Sequence, residues 1–160
     1  MSEERYLLMK DTPGEKATGT FKKIVGFSNS QKQVLRGELL QPIPPRDIQT
    51  RSDGSQHNYS LERDPNVTLY AMEDDISPLN VDDYRLLRAI DSPFDRFRVF
   101  SDPHWLEWGA RLNIGDQIYV RLPSPNVSGS TNWSFAIVRY KGAVETLPGT
   151  NFGVEIMVSI

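Results

Sequence analysis

Three short stretches near the C-terminal end constrain this chain most. Each alternates apolar with polar residues, and each is bounded by glycine or proline. The first, Gly115-Asp116-Gln117-Ile118-Tyr119-Val120-Arg121-Leu122, reads as a turn followed by a strand with Ile118, Val120 and Leu122 on one face. A Pro/Gly/Ser-rich loop over 123–132 separates it from Ser134-Phe135-Ala136-Ile137-Val138-Arg139-Tyr140. The third, Asn151-Phe152-Gly153-Val154-Glu155-Ile156, puts Phe152, Val154 and Ile156 on one side. Alternating runs of this length between turn residues predict a small antiparallel barrel or sandwich. Three strands are too few to be stable alone, so the unit needs cover from the rest of the chain.

Upstream, Arg5-Tyr6-Leu7-Leu8-Met9 reads as a strand and Asp11-Thr12-Pro13-Gly14 as a turn. Further strands are expected over 20–27 and 34–40, the latter with Gly37 as a bulge or a break. Pro42-Ile43-Pro44-Pro45-Arg46 must be extended. From 47 to 65 the chain is almost wholly polar, which reads as a long exposed loop or a disordered linker. Val67-Thr68-Leu69-Tyr70-Ala71-Met72 is a strand, ended by Glu73-Asp74-Asp75 and Ser77-Pro78. Asn80 is a good helix cap with Asp82 and Asp83 in the first turn, and Val81, Tyr84, Leu86, Leu87 and Ile90 fall at helical spacing. This predicts one short helix, stopped by Ser92-Pro93. Residues 94–100 mix Phe with Arg and read as a packed strand or helix end. Trp105 and Trp108 either cap the open end of the barrel or line a peptide groove. The resulting segments are 1–40 (β-rich), 41–66 (Pro-rich and polar linker), 67–107 (strand and helix packing on the barrel) and 108–160 (barrel strands).

The 160 residues allow one domain, or a small domain with an ordered extension. A net charge of −3 offers no general attraction to nucleic acid or anionic membrane, and no apolar run is long enough to span a bilayer. The acidic start, Met1-Ser2-Glu3-Glu4-Arg5, lacks the order of a signal peptide, so the four Asn-x-Ser/Thr sequons are expected to be chance matches in an intracellular protein. There is no cysteine, hence no disulfide, thiolate metal site or cysteine nucleophile. The two histidines, His57 and His104, show no metal-ligand spacing, and neither Gly-x-Ser-x-Gly nor a phosphate-binding loop occurs. Asp74-Asp75 and Asp82-Asp83 are sequence neighbours, which point apart on any regular element. The expectation is a non-enzymatic chain without metal or cofactor.

Gly115-Asp116-x-Ile118-x-Val120, then Ala136-Ile137-Val138-Arg139-Tyr140-Lys141-Gly142, then Phe152-Gly153-Val154-Glu155-Ile156 resemble the first two-thirds of a CAP-Gly domain. The resemblance implies a mainly β chain, with a small SH3-like barrel preceded by a β-rich extension. It also implies docking to microtubules or to acidic, often tyrosine-ending protein tails, and a cytoplasmic, partly cytoskeletal address. Regions of this type also occur in a ubiquitin-removing cysteine protease, whose catalytic chemistry would lie outside a chain that has no cysteine. An acidic tail wants backbone N–H groups in glycine-rich loops together with a few cations. Arg139, Lys141, Gly142, Asn151, Phe152 and Gly153 are therefore the candidate peptide-binding residues, with Phe152 or Trp133 packing the tail's aromatic. Phe152 is equally readable as core. The family's glycine-lysine-asparagine-aspartate-glycine signature does not follow Ile156; the chain continues Met157-Val158-Ser159-Ile160, and Val154 to Ile160 are expected to form an unpaired apolar edge. The other reading is a scaffold segment without its own ligand, its barrel completed by following sequence or a partner chain. Pro42, Pro44, Pro45 and Arg46 resemble a linear motif for SH3-type domains, or else a stiff connector.

Overall fold

A computed structural model describes residues 3–16, 30–43 and 56–157. Among these residues the chain is mainly β, built as two antiparallel sheets joined by short helices. The larger sheet contains β1 (Arg5–Leu8), β2 (Thr12–Lys16), β3 (Ser30–Val34), β4 (Leu39–Pro42), β5 (Gln56–Leu61), β6 (Val67–Met72) and β7 (Ile76–Leu79). It curls into a half-barrel with the strand order β3-β2-β6-β5-β4-β1-β7. Period-two alternation explains its core: Val67, Leu69 and Ala71 of β6 are buried while Tyr70 and Met72 are exposed. The registers Tyr59↔Leu69 and Leu40↔Leu61 carry this apolar face across the neighbouring strands to Leu8.

Several expectations are corrected here. Gln56–Leu61, read as part of a polar linker, is a central strand, because its two large apolar residues, Tyr59 and Leu61, alternate and both enter the core. The run 34–40 is not one strand: Val34 ends β3, Gly37 turns the chain at φ +91°, and Leu39 begins β4. Ile76–Leu79 is not a terminator but an edge strand, where Pro78 lacks only a donor the outer edge does not need. The expected strand over 20–27 lies outside the described residues.

Three helices follow where one was expected: α1 (Val81–Arg88), α2 (Pro93–Ser101) and α3 (Pro103–Arg111). Ser92-Pro93 ends the α1 region but also opens α2, with Ser92 as the cap and Pro93 in the first turn. Asp102-Pro103 repeats the device for α3. Asn80 caps α1 as expected: its Oδ1 accepts from the Asp83 backbone N–H at 2.8 Å, and its Nδ2 donates to the Asp83 carboxylate at 2.9 Å. Asn80→Ala therefore lowers stability by about 1 kcal/mol, read as a small fall in thermal midpoint. Asn80→Ser should recover most of it; equal melting of Asn80→Ala and wild type would refute the cap.

The helices are fastened to the half-barrel by charge. Glu62, just after β5, accepts from Tyr84 Oη at 2.7 Å and pairs with Arg88 at 2.9 Å. Arg96 of α2 is buried, and donates to the carbonyls of Ile90, Gly37 and Asp91 at 2.6–2.9 Å. The buried Glu38 carboxylate lies 3.7 Å from it.

The smaller sheet is the expected trio: β8 (Gln117–Pro123), β9 (Thr131–Val144) and β10 (Leu147–Ile156), in the order β10-β9-β8. Ile118↔Ala136 and Val154↔Val138 align the apolar face, with Ala136 and Val138 fully buried. Ile118, Val120, Leu122 and Ile156 are only half-buried and Val154 is exposed, so this face is thinly covered.

Candidate functional site

The β9–β10 hairpin brings all six candidate peptide-binding residues together. The cross-strand pairs are Asn151↔Gly142, Phe152↔Lys141 and Gly153↔Tyr140, and Arg139 lies one residue beyond. Their side chains are already engaged. Arg139 Nε meets the Glu155 carboxylate at 2.7 Å. Lys141 Nζ donates to the Ala110 carbonyl at 2.8 Å near the end of α3, and sits 5.8 Å from the centre of the half-buried Phe152 ring. The first contact places a cation at the negative end of a helix. Asn151 Nδ2 donates back to the carbonyls of Pro148 and Gly149, holding the hairpin tip. A Cβ at Gly153 would stand 3.0 Å from Tyr140 Cβ, so glycine lets the two strands approach there.

The tip rests on α1. Gly149 has φ +75°, and a Cβ there would come within 2.3 Å of the Arg85 carbonyl. Only glycine suits both that conformation and that approach. Between α1 and the tip lies a cavity of about 730 Å³, bounded by Arg85, Arg88, Gly142, Thr146 and Thr150, with Glu145 as its acidic wall residue. Arg88 is shared with Glu62, whereas Arg85 has no carboxylate within 4.0 Å among the described residues. Sequence reasoning passed over both arginines, because on an amphipathic helix they read as the solvated face. Only the hairpin's return onto α1 gives them a cleft to line.

Trp133 does not share this site. It pairs with Arg121 at the far end of β9, where the guanidinium stacks 5.3 Å from the centre of its ring. Eight residues of strand separate it from Lys141, about 26 Å. Trp105 and Trp108 are 55% and 49% exposed on α3, edge to face at 6.2 Å, so neither serves as core. Pro42 ends β4 opposite Tyr59; Pro44, Pro45 and Arg46 lie outside the described residues. His57 and His104 are both exposed, on β5 and α3. Among the described residues no set of three His, Asp or Glu is placed to hold a metal, and no helix is long and apolar enough to cross a membrane.

Fold and cleft together define a mainly β protein of two antiparallel sheets joined by helices, with a polar, arginine-bounded cleft where the smaller sheet meets the first helix. Its sequence is similar to the ubiquitin carboxyl-terminal hydrolase CYLD, a protein that has CAP-Gly domains. The Bos taurus protein is 28% identical over 161 residues, covering 97% of this chain and 16% of that protein. The Homo sapiens and Mus musculus proteins are each 26% identical over 134 residues, covering 78% of this chain and 14% of theirs. The chain thus spans under a fifth of the length of these curated relatives. No protein-family model matches it, and no solved structure does.

Proposed function

We propose that this chain is a non-catalytic protein-binding module of CAP-Gly type within a CYLD-like, cytoplasmic deubiquitinase, docking to microtubules or other acidic C-terminal tails. The supporting observation is the cleft between α1 and the β9–β10 hairpin. There Arg85, which has no carboxylate partner among the described residues, and the adjacent Arg88 face a hairpin tip with glycines at 142 and 149. An acidic tail threads this cleft, its carboxylates meeting Arg85 and the backbone N–H groups of the tip. Arg139, Lys141, Asn151, Phe152 and Gly153 shape the hairpin wall, and the charge left for a ligand comes chiefly from α1. On this reading 108–160 carries the ligand and the helices before it brace it, while Pro42, Pro44, Pro45 and Arg46 are available to an SH3-type domain.

Titration of the 15N-labelled chain with a Glu-Glu-Tyr-ending peptide tests the reading. Backbone signals of Arg85, Gly142, Thr150 and Phe152 shift and saturate, and Arg85→Glu weakens binding by about tenfold or more. Lys141→Glu also weakens it by undoing the contact to α3. A peptide that shifts none of these signals, or binds Arg85→Glu as well as wild type, would remove the cleft.

One observation favours a second reading, a scaffold without its own ligand. The outer edges of β8 and β10 pair with no strand among the described residues, above the thinly covered face of Ile118, Val120 and Leu122. Such an edge accepts a strand from following sequence or from a partner.

A further inference from the structure

The half-barrel carries a second concave site, distinct from the cleft at α1. At the end where β1, β4, β5 and β7 meet, Tyr6 and Tyr59 stand edge to face, with ring centres 5.4 Å apart and planes at 66°. They form part of the wall of a cavity of about 570 Å³, with Ile76 and Pro78 of β7 as an apolar wall. Glu4 and Glu73 stand at its rim.

The charges around this cavity are unbalanced. Neither Glu4 nor Glu73 has a lysine or arginine within 4.0 Å among the described residues; the nearby Arg5 is committed to Glu3 and Glu62. Among the described residues the Glu4 carboxylate accepts only from the Tyr6 hydroxyl, at 3.1 Å. Tyr59 lines the cavity although the residue is only 5% exposed, and no hydrogen bond between described residues involves its hydroxyl. Burial, and then the neighbouring Tyr6, Glu4 and Glu73, push this phenol up to about 12. The two carboxylates therefore bear on the same point in the cavity wall.

We propose that this cavity takes a basic side chain, lysine or arginine, from a partner protein. The aliphatic stem lies along Ile76 and Pro78, the cationic head meets the half-buried Tyr6 ring beside Tyr59, and Glu4 and Glu73 balance its charge. The Tyr59 hydroxyl, which can accept as well as donate, takes one N–H of the incoming head. Nothing in this site depends on the acidic-tail reading, since it lies on the other sheet and selects the opposite charge.

The test is a titration of the 15N-labelled full chain with acetyl-Gly-Gly-Lys-Gly-Gly-amide and its arginine counterpart. Peptide with norleucine in place of lysine, which keeps the stem and removes the charge, is the control. Saturable shifts at Tyr6, Asn58, Tyr59 and Ile76 are expected at roughly millimolar peptide, with the norleucine peptide inert. Glu4→Gln combined with Glu73→Gln changes two exposed side chains and preserves the dispersed spectrum. It weakens lysine or arginine binding by about tenfold. Absence of saturable shifts, an equal response to norleucine, or undiminished binding by the double variant would overturn the proposal. Choline binding more tightly than either peptide would do the same, assigning the site to a small organic cation instead.

Discussion

Arg96→Met lowers the stability of the chain by about 3–5 kcal/mol, the scale for breaking a buried charge pair. The substitution keeps the bulk of the side chain and removes its five donors. The carbonyls of Ile90, Gly37 and Asp91 lose their hydrogen bonds to Arg96, and Glu38, 2% exposed, keeps only Arg63, at 2.8 Å, among the described residues. Much of the loss is thus the desolvation of groups left behind, and this makes the effect reversible by design. Adding Glu38→Leu to Arg96→Met removes the stranded carboxylate and recovers part of the loss, a non-additivity expected of residues in one network. Urea unfolding of the two single variants and the double variant measures it. A wild-type midpoint for Arg96→Met would mean that α2 is held on the sheet by packing alone.

Gly37→Ala is expected to cost a similar amount, about 3–5 kcal/mol, at the high end for one substitution. Gly37 sits in the turn between β3 and β4 at φ +91°, and a Cβ there would lie 1.8 Å from the Pro93 carbonyl oxygen at the start of α2. Backbone cannot swing aside as a flexible side chain would, so the turn must lift from α2 and take the Gly37–Arg96 hydrogen bond with it. Gly115 supplies an internal control. Its φ is +94° but nothing lies within 4 Å of an added Cβ, so Gly115→Ala costs only the conformational part, about 1 kcal/mol. The difference between the two variants isolates the clash. Equal losses would show that α2 does not press on this turn.

The binding predictions sit on the same frame. If α2 loosens, α1 and α3 lose their shared support, and the cleft against the β9–β10 tip loses one wall. Destabilised variants are therefore poor reporters of ligand affinity, whereas Arg85→Glu and Glu4→Gln with Glu73→Gln leave the frame intact and report on the two sites separately.

Where strands alternate against a single apolar face, the sequence alone was enough. Ile118, Val120 and Leu122, then Phe135 to Tyr140, then Phe152 to Ile156 lie on the three strands of the smaller sheet because a period of two is a local property. Asn80 with Asp83 marked the start of α1 for the same reason, since a cap involves residues three apart. The order of the CAP-Gly-like segments likewise foretold the likeness to CYLD.

Tertiary structure alone decided the rest. Gln56–Leu61 has too little apolar character to announce itself, and becomes a strand because β4 and β6 pair with it on both sides. Ser92-Pro93 and Asp102-Pro103 are equally good ends and beginnings, and the packing of α2 and α3 selects the beginnings. No local rule pairs Arg85 with the hairpin tip, or Tyr6 with Tyr59 across strands β1 and β5, because these neighbours are separated by more than fifty residues. Both candidate sites therefore consist of side chains whose meaning depends on what stands opposite them, and only the closed chain sets them face to face.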